Sequence, residues 1–377
     1  MAFGDTIAEI DLGLLAKNLD RVVKQVGKRP IIAVVKANAY GHGAAAIAGH
    51  LVKSSRQVSM LGVASLDEGI AIREAGIKTS ILLMTGFPVK RVKDVVAYRL
   101  TPALFDLPTL FALSRYARTA RCGIAVHLKV DTGMGRLGVL PHEVPVFLQK
   151  AIDGGITVAG IFSHFAEADL ADLTYAKEQC ARFKKIEADI ERASLEPAHT
   201  RPLFHLANSA AILHCPVALL DSVRPGLMLY GYSPLQKKKP LGLSPILTVK
   251  SRVIAIKRVP AGAAISYGRT FITKRETRVA VIGIGYADGY PRSLSNCGEM
   301  IAKGARVPVI GRVCMDMTML DTTKVPALLV GDFVTVIGQE GKEGIFADEL
   351  AKKENTIPYE ILCGLKENIP RIYLKEL

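Results

Sequence analysis

The chemistry of this chain is most concentrated in Ile31-Ile32-Ala33-Val34-Val35-Lys36-Ala37-Asn38-Ala39-Tyr40-Gly41-His42-Gly43, an apolar run that ends in a lysine and passes into a small, polar, glycine-punctuated loop. Such a run reads as a buried strand, and the lysine at its carboxyl end has a neutral wall behind it. Desolvation lowers the pKa of an amine, and an amine that spends time neutral can form a Schiff base with an aldehyde or act as a base. Taken alone, the same lysine reads more readily as one that snorkels to solvent on its methylene stem.

Other strings carry polar groups in comparable settings. Lys129-Val130-Asp131-Thr132-Gly133-Met134-Gly135-Arg136-Leu137-Gly138 is dense in glycine, which lets a backbone approach a ligand, and Arg136 offers a fork suited to a carboxylate. A plain turn with a surface arginine would look the same. Ser163-His164-Phe165-Ala166, Phe204-His205-Leu206-Ala207-Asn208-Ser209 and Val223-Arg224-Pro225-Gly226-Leu227 each follow a short apolar run. Later come Ile265-Ser266-Tyr267-Gly268-Arg269-Thr270, Gly285-Tyr286-Ala287-Asp288-Gly289-Tyr290, Gly311-Arg312-Val313-Cys314-Met315-Asp316-Met317 and Ile357-Pro358-Tyr359-Glu360.

The elements that must position these groups fall into two regimes. From residue 12 to about 230, helical and strand periods alternate. Leu12, Leu15, Leu19, Val22 and Val26 share one face of a helix leading into the Lys36 strand, and short apolar strands follow at Leu61 to Ala64, Ile81 to Met84, Thr101 to Phe105, Ile124 to Val130, Val158 to Phe162, Leu203 to Leu206 and Ser222 to Val223. About eight strands alternating with helices such as Asp67 to Ala75 and Tyr175 to Arg192 predict an α/β fold, a (β/α)8 barrel of TIM type. Its reacting groups would lie where the polar strings above lie, at the carboxyl ends of the strands. Near Ser233-Pro234 and Lys237-Lys238-Lys239 the pattern changes to β-rich segments, Thr248 to Val259, Thr277 to Ile284, Val307 to Val313 and Phe333 to Ile337, with one short helix around Ala347 to Lys353. A barrel over 1–238 and a mostly-β domain of sandwich or barrel type over 239–377 are expected.

Composition sets the outer limits. A chain of 377 residues with 49% hydrophobic residues can bury a large core, no apolar run reaches the length of a membrane span, and the first residues lack a signal core. Six scattered cysteines without a Cys-x-x-Cys pair argue for free thiols in a reducing cytoplasm and against a metal site. The net charge of +14 raises the question of nucleic acid, but the basic residues are dispersed and no nucleic-acid module is present.

Val34-Val35-Lys36-Ala37-Asn38-Ala39-Tyr40-Gly41-His42-Gly43, the Lys129 to Gly138 string and the late Tyr-Gly and Cys-Met-Asp strings together resemble the alanine racemase family over nearly the whole chain. The resemblance implies that Lys36 carries pyridoxal 5'-phosphate covalently and serves one face of the substrate as a base. Tyr267 would serve the other. By the same resemblance His164 lies near the cofactor ring and hydrogen-bonds Tyr267, and Arg136 meets the cofactor's phenolic oxygen and the substrate carboxylate. Lys129, carbamylated in some members, holds that arginine. Tyr40, Ser209, Gly226, Leu227 and Tyr359 bind the phosphate, with His205 beside them. Arg224 faces the ring nitrogen, and because a guanidinium keeps its proton it would donate without protonating the ring. The backbone at Met315, flanked by Cys314 and Asp316, would bind the substrate carboxylate, and Tyr286 would narrow the entrance. In the family the β-domain residues reach the site across a head-to-tail homodimer. The expected activity is interconversion of L- and D-alanine for peptidoglycan synthesis. A serine or broad-specificity racemase of the same fold, and a non-catalytic carrier of the cofactor, are the alternatives, the latter needing no second base. No membrane or nucleic-acid partner is expected.

Overall fold

The computed structural model describes residues 6–193, 201–235 and 240–374, which fall into two compact units. One comprises Leu15–Ala39 and Ala44–Leu243; the other gathers the described residues up to Leu14, Tyr40–Gly43 and those from Ser244 onward. Strand β1 (Ile7–Asp11) belongs to the second unit.

In the first unit β2 (Ile31–Val34), β3 (Val58–Val63), β4 (Ser80–Leu83), β5 (Thr101–Leu104), β6 (Ile124–Lys129), β7 (Ile156–Phe162), β8 (Leu203–Asn208) and β9 (Ser222–Arg224) form a closed barrel. Each strand runs parallel to the next, and Val223 of β9 pairs with Ile31 of β2 to close the ring. Parallel strands covered on both faces must be apolar on both, and β2 is buried at all of its positions. The expected barrel is therefore present, with strand limits within a few residues of the apolar runs. Helix Leu12–Val26 places Leu15, Leu19, Val22 and Val26 in full burial, as its spacing requires. Buried Asn18 on that helix donates to the Leu229 carbonyl.

The second unit is a nine-stranded sheet organised by the thirteen-residue β10 (Leu247–Val259). β10 pairs antiparallel with β1, with Phe333–Glu340 and with Thr277–Ile282, bending through register shifts at Val249/Lys250 and Val253/Ala255. With the bridge between Val309 and Leu320, the ladders from β10 through Thr277–Ile282, Thr318–Asp321, Ala305–Pro308, Glu299–Ala302 and Phe333–Glu340 return to β10, so this mostly-β unit closes on itself in the manner of the expected barrel. A second short helix, Pro358–Gly364, accompanies the expected one at Ala347–Glu354. The expected division at 238/239, with Lys237-Lys238-Lys239, lies outside the described residues. Among those described, β1 departs from that division: Ala8 and Ile10 are buried because β1 is inserted between β10 and Arg371–Leu374. No helix among the described residues is long and apolar enough to cross a membrane.

The barrel core contains a polar pair. His127 of β6 and His205 of β8 are buried, and Nδ1 of His127 lies 2.8 Å from Nε2 of His205. Gly160 of β7, between them, leaves room for the rings; a Cβ there would fall 2.6 Å from the His127 ring. Burial, aided by the charge of Arg224, depresses His127 from 6.5 to about 4, and burial, then Arg224, then His127 depress His205 well below its ordinary value. Both are neutral in the fold, so below the ordinary histidine range the unfolded chain binds more protons. Stability is full above pH 6.5 and falls as pH drops toward the folded value of about 4. The slope should approach about 1.4 kcal/mol per pH unit for each histidine. Urea midpoints recorded between pH 7 and pH 5, where carboxylates stay ionised, should decline; a constant midpoint would mean that the pair is not held neutral.

Candidate active site

At the carboxyl ends of the barrel strands the first unit collects cations. Lys36 follows β2, Lys129 ends β6, Arg136 lies on the exposed loop after β6, and Arg224 ends β9. Half-buried His164, two residues beyond β7, feels all of them. Its pKa is lowered to about 3 first by burial, then by Arg224, Arg136, Lys36 and Lys129, so the ring is neutral. Lys129 is itself pulled from 10.5 to about 8 by burial, then by Arg224, Arg136 and Lys36. Its Nζ donates to the Met84 carbonyl at 3.2 Å and stands 5.3 Å from the centre of the Phe162 ring.

Two loops here are fixed by buried or partly buried polar groups. Asp131 accepts the amides of Gly133, Met134 and Gly135. Burial alone would raise its carboxyl, but these amides and that of Arg136 outweigh burial and hold it below its ordinary value. Fully buried Gln179, on helix Thr174–Arg192, accepts from Ala166 N–H and donates to the His164 carbonyl, which sets the chain on either side of the His164 ring.

Arg224 is buried and makes four hydrogen bonds through its two Nη atoms. Nη1 donates to Nδ1 and the carbonyl of His205, and Nη2 to the carbonyls of Ser163 and Leu206. Since a guanidinium has no lone pair to offer, His205 Nδ1 must be the acceptor, its Nε2 carries the proton, and His127 Nδ1 accepts in turn. Burial lowers Arg224 to about 9, which leaves it protonated at neutral pH. Of its five N–H groups, Nε–H alone has no acceptor among the described residues. A ring nitrogen with a lone pair is the partner that would satisfy it. Nearby, the Ser209 hydroxyl accepts the Gly226 amide at 2.9 Å, and a short helix starts at Ser209, with Leu227 buried beyond Gly226. A helix start and backbone amides suit a phosphate. Donors for a ring nitrogen, a phosphate and a carboxylate are what pyridoxal phosphate and an amino acid call for, so the residues present fit this cofactor.

The second unit brings its own group together. Ile265, packed with Val279 and Ile310, anchors the chain just before Tyr267. Ser266 stands at φ 64°, ψ −175°, a region that side chains rarely enter, and its Oγ donates to the Arg312 carbonyl at 2.6 Å. Gly311 permits this approach, since a Cβ there would lie 2.8 Å from the Ile265 carbonyl oxygen. Ser266 Oγ also lies 3.5 Å from Cys314 Sγ, while the Tyr286 and Ala287 amides donate to the carbonyls of Cys314 and Met315. Tyr267, Tyr286, Cys314, Met315 and exposed Asp316 thus belong to one loop cluster. Tyr40 and Tyr359 form another pair, ring centres 5.8 Å apart; burial, then Tyr359, holds the Tyr40 phenol protonated and far above its ordinary value.

His205 falls inside the expected strand Leu203 to Leu206 and lies within β8, where it supports Arg224 from the barrel interior. His127 and Gln179 were not singled out. The signal for His127 was available: it stands two residues before Lys129 on one strand, so the two share a face. Gln179 gave none, being one polar residue in a polar helix.

Comparison with known proteins agrees with this geometry. Residues 10–234 match the family model described as the N-terminal domain of alanine racemase, and residues 246–373 match its C-terminal domain. An alanine racemase of Halothermothrix orenii is 40% identical over 375 residues, covering 99% of this chain and 97% of its own. Among solved structures, an alanine racemase of Clostridium difficile 630 superposes with a TM-score of 0.91 at 35% identity, covering 98% of this chain and 96% of its own. One from Bartonella henselae, described with covalently bound pyridoxal phosphate, gives 0.87 at 30% identity, covering 98% and 99%. With both domains matched along almost their whole length, the chain belongs to the alanine racemase family.

Proposed function

We propose that the chain is a cytoplasmic pyridoxal-phosphate-dependent racemase that interconverts L- and D-alanine, supplies D-alanine for peptidoglycan, and works as a head-to-tail homodimer with shared sites. The observation that carries this reading is the barrel mouth, where Lys36, Lys129, Arg136 and Arg224 converge on a neutral His164 within a chain of this family. Pyridoxal phosphate, when bound, withdraws electrons from the substrate and makes its Cα proton removable. Lys36 holds the cofactor and exchanges that proton on one face; the phenol of Tyr267 does so on the other. His164, uncharged, can donate a hydrogen bond to the phenolate oxygen of Tyr267. Arg136 and the backbone at Met315 fix the substrate carboxylate, and Tyr286 limits the size of what enters.

Arg224 would offer its remaining N–H to the ring nitrogen of the bound cofactor without surrendering its proton, which would limit charge build-up and favour returning a proton to Cα over side reactions. Ser209, Gly226, Leu227, Tyr40 and Tyr359 take the phosphate. The amine of Lys129, drawn to about 8, is partly neutral near physiological pH and so suited to react with carbon dioxide, giving a carbamate that would pair with Arg136. The homodimer is supported by exposure: in the single chain Tyr267 is 70% and Met315 54% exposed, so the second base needs another surface to take it out of water.

Following the chirality of alanine and serine in deuterated water tests the reaction. Alanine should racemise with deuterium at Cα and serine far more slowly; no exchange with either would defeat the reading. Tyr267→Phe should retain the bound cofactor's absorbance yet lose at least about a hundredfold in racemisation, with Cα proton abstraction from L-alanine, read as deuterium exchange, lost more deeply than that from D-alanine. Unchanged turnover would remove Tyr267 as a base. Mixing inactive Lys36→Ala with inactive Tyr267→Phe should restore about a quarter of wild-type activity, because half the dimers carry one intact site only if sites are shared. No restoration would place both bases within one chain.

A further inference from the structure

The four residues after Lys36 adopt a conformation that their types disfavour. Ala37, Asn38, Ala39 and Tyr40 all have φ between 51° and 54°, a left-handed turn without a glycine. Such a turn is unfavourable for L-amino acids at every residue, so it persists only if hydrogen bonds hold it. Three do so within the barrel unit. Ala39 N–H reaches the Val35 carbonyl at 2.9 Å, Asn38 Oδ1 accepts the Ala44 amide at 2.7 Å, and the Ala37 amide donates to Glu68 Oε1 at 2.6 Å.

Glu68 has a second employment. It is the third residue of helix Leu66–Glu74, where Oε2 accepts the amides of Ala64 and Ser65 while its own amide donates to Ser65 Oγ, a capping box. That box needs one oxygen only. The other is spent on the peptide joining Lys36 to Ala37, at the point where the left-handed turn begins. An amine at the end of four methylenes is aimed only as well as the backbone it leaves. Holding that peptide plane fixes ψ of Lys36 and with it the origin of the side chain.

Resting on the reading of Lys36 as the cofactor-bearing lysine, we infer that Glu68 is a positioning residue for it: one carboxylate couples the helix cap after β3 to the strained turn after β2. A glutamine of the same shape has one acceptor oxygen and would turn an N–H group toward an N–H group, so it can serve the cap or the turn but not both.

The test uses full-length protein, titrated with pyridoxal phosphate and followed by visible absorbance alongside steady-state racemisation. Glu68→Gln should weaken cofactor binding and lower kcat each by about tenfold, with KM for alanine within about twofold of wild type. Ser65→Ala breaks the same capping box without touching Ala37; it should lower Tm and leave cofactor affinity intact. Adding Ala37→Gly to Glu68→Gln should recover part of the lost affinity, because glycine enters the left-handed region without strain and exposed Ala37 leaves no cavity. Wild-type affinity in Glu68→Gln, an equal loss in Ser65→Ala, or no recovery in the double variant would each overturn the role. If Glu68→Gln does not fold, Glu68→Asp, which keeps the charge but withdraws the oxygens by one methylene, must show the same loss. Lys36→Ala run in parallel separates the two readings: covalent attachment persisting there defeats the assignment of Lys36, whereas normal Glu68→Gln beside a dead Lys36→Ala defeats the role of Glu68 alone.

Discussion

The interaction on which the barrel site depends is the buried guanidinium of Arg224. Taking an ion out of water is costly unless dipoles replace the water, and here the replacement is four neutral acceptors, three backbone carbonyls and the His205 ring, with Phe162 beneath the guanidinium at 5.3 Å. No acceptor carries a negative charge, so the positive field is solvated but not cancelled. The consequence spreads outward. The same charge helps to depress His127, His205, His164 and Lys129. Burial is the larger cause for each, and a single residue at the end of β9 thus adds to it in keeping three imidazoles neutral and one amine easily deprotonated.

Both groups assigned to proton transfer sit beside strained backbone. Lys36 opens a left-handed turn, and Tyr267 follows Ser266 in a region close to glycine-only. Each strain is clamped by a hydrogen bond from another segment, Ala37 to Glu68 and Ser266 to Arg312. Long side chains lose precision through their own rotamers, and a stiff, over-determined backbone limits that loss to the side chain itself. This explains why non-glycine residues stand at these φ values although relaxed alternatives exist.

Much of the barrel could be read in advance because each of its strands is a short apolar run between helical periods, a pattern set locally by burial on both faces. β1 could not. Ile7-Ala8-Glu9-Ile10-Asp11 is short, and what makes it a strand is pairing with Leu247–Lys250 and with Arg371–Leu374, at the far end of the chain. The same division holds for the site. Lys36, Lys129, Arg136, His164 and Arg224 stand in long strings whose resemblance to a family named them. Gln179 and Glu68 act through hydrogen bonds that reach other loops, and nothing in their own neighbourhoods marks them, while His127 is marked only by sharing a strand face with Lys129.

The electrostatics also account for what the mouth should select. Lys36, Lys129, Arg136 and Arg224 each oppose protonation of His164, and Arg224, Arg136 and Lys36 likewise oppose the charge of Lys129. Such mutual repulsion is a standing cost to the folded barrel, and it is relieved by any ligand that brings negative charge among them. A phosphate, a phenolic oxygen or a carboxylate would each bring such charge. An amine without a carboxylate adds positive charge and relieves nothing. Selection for amino acids over simple amines thus follows from the like charges gathered at the strand ends, before any shape of pocket is considered, and the choice among amino acids is left to the smaller energies of steric fit.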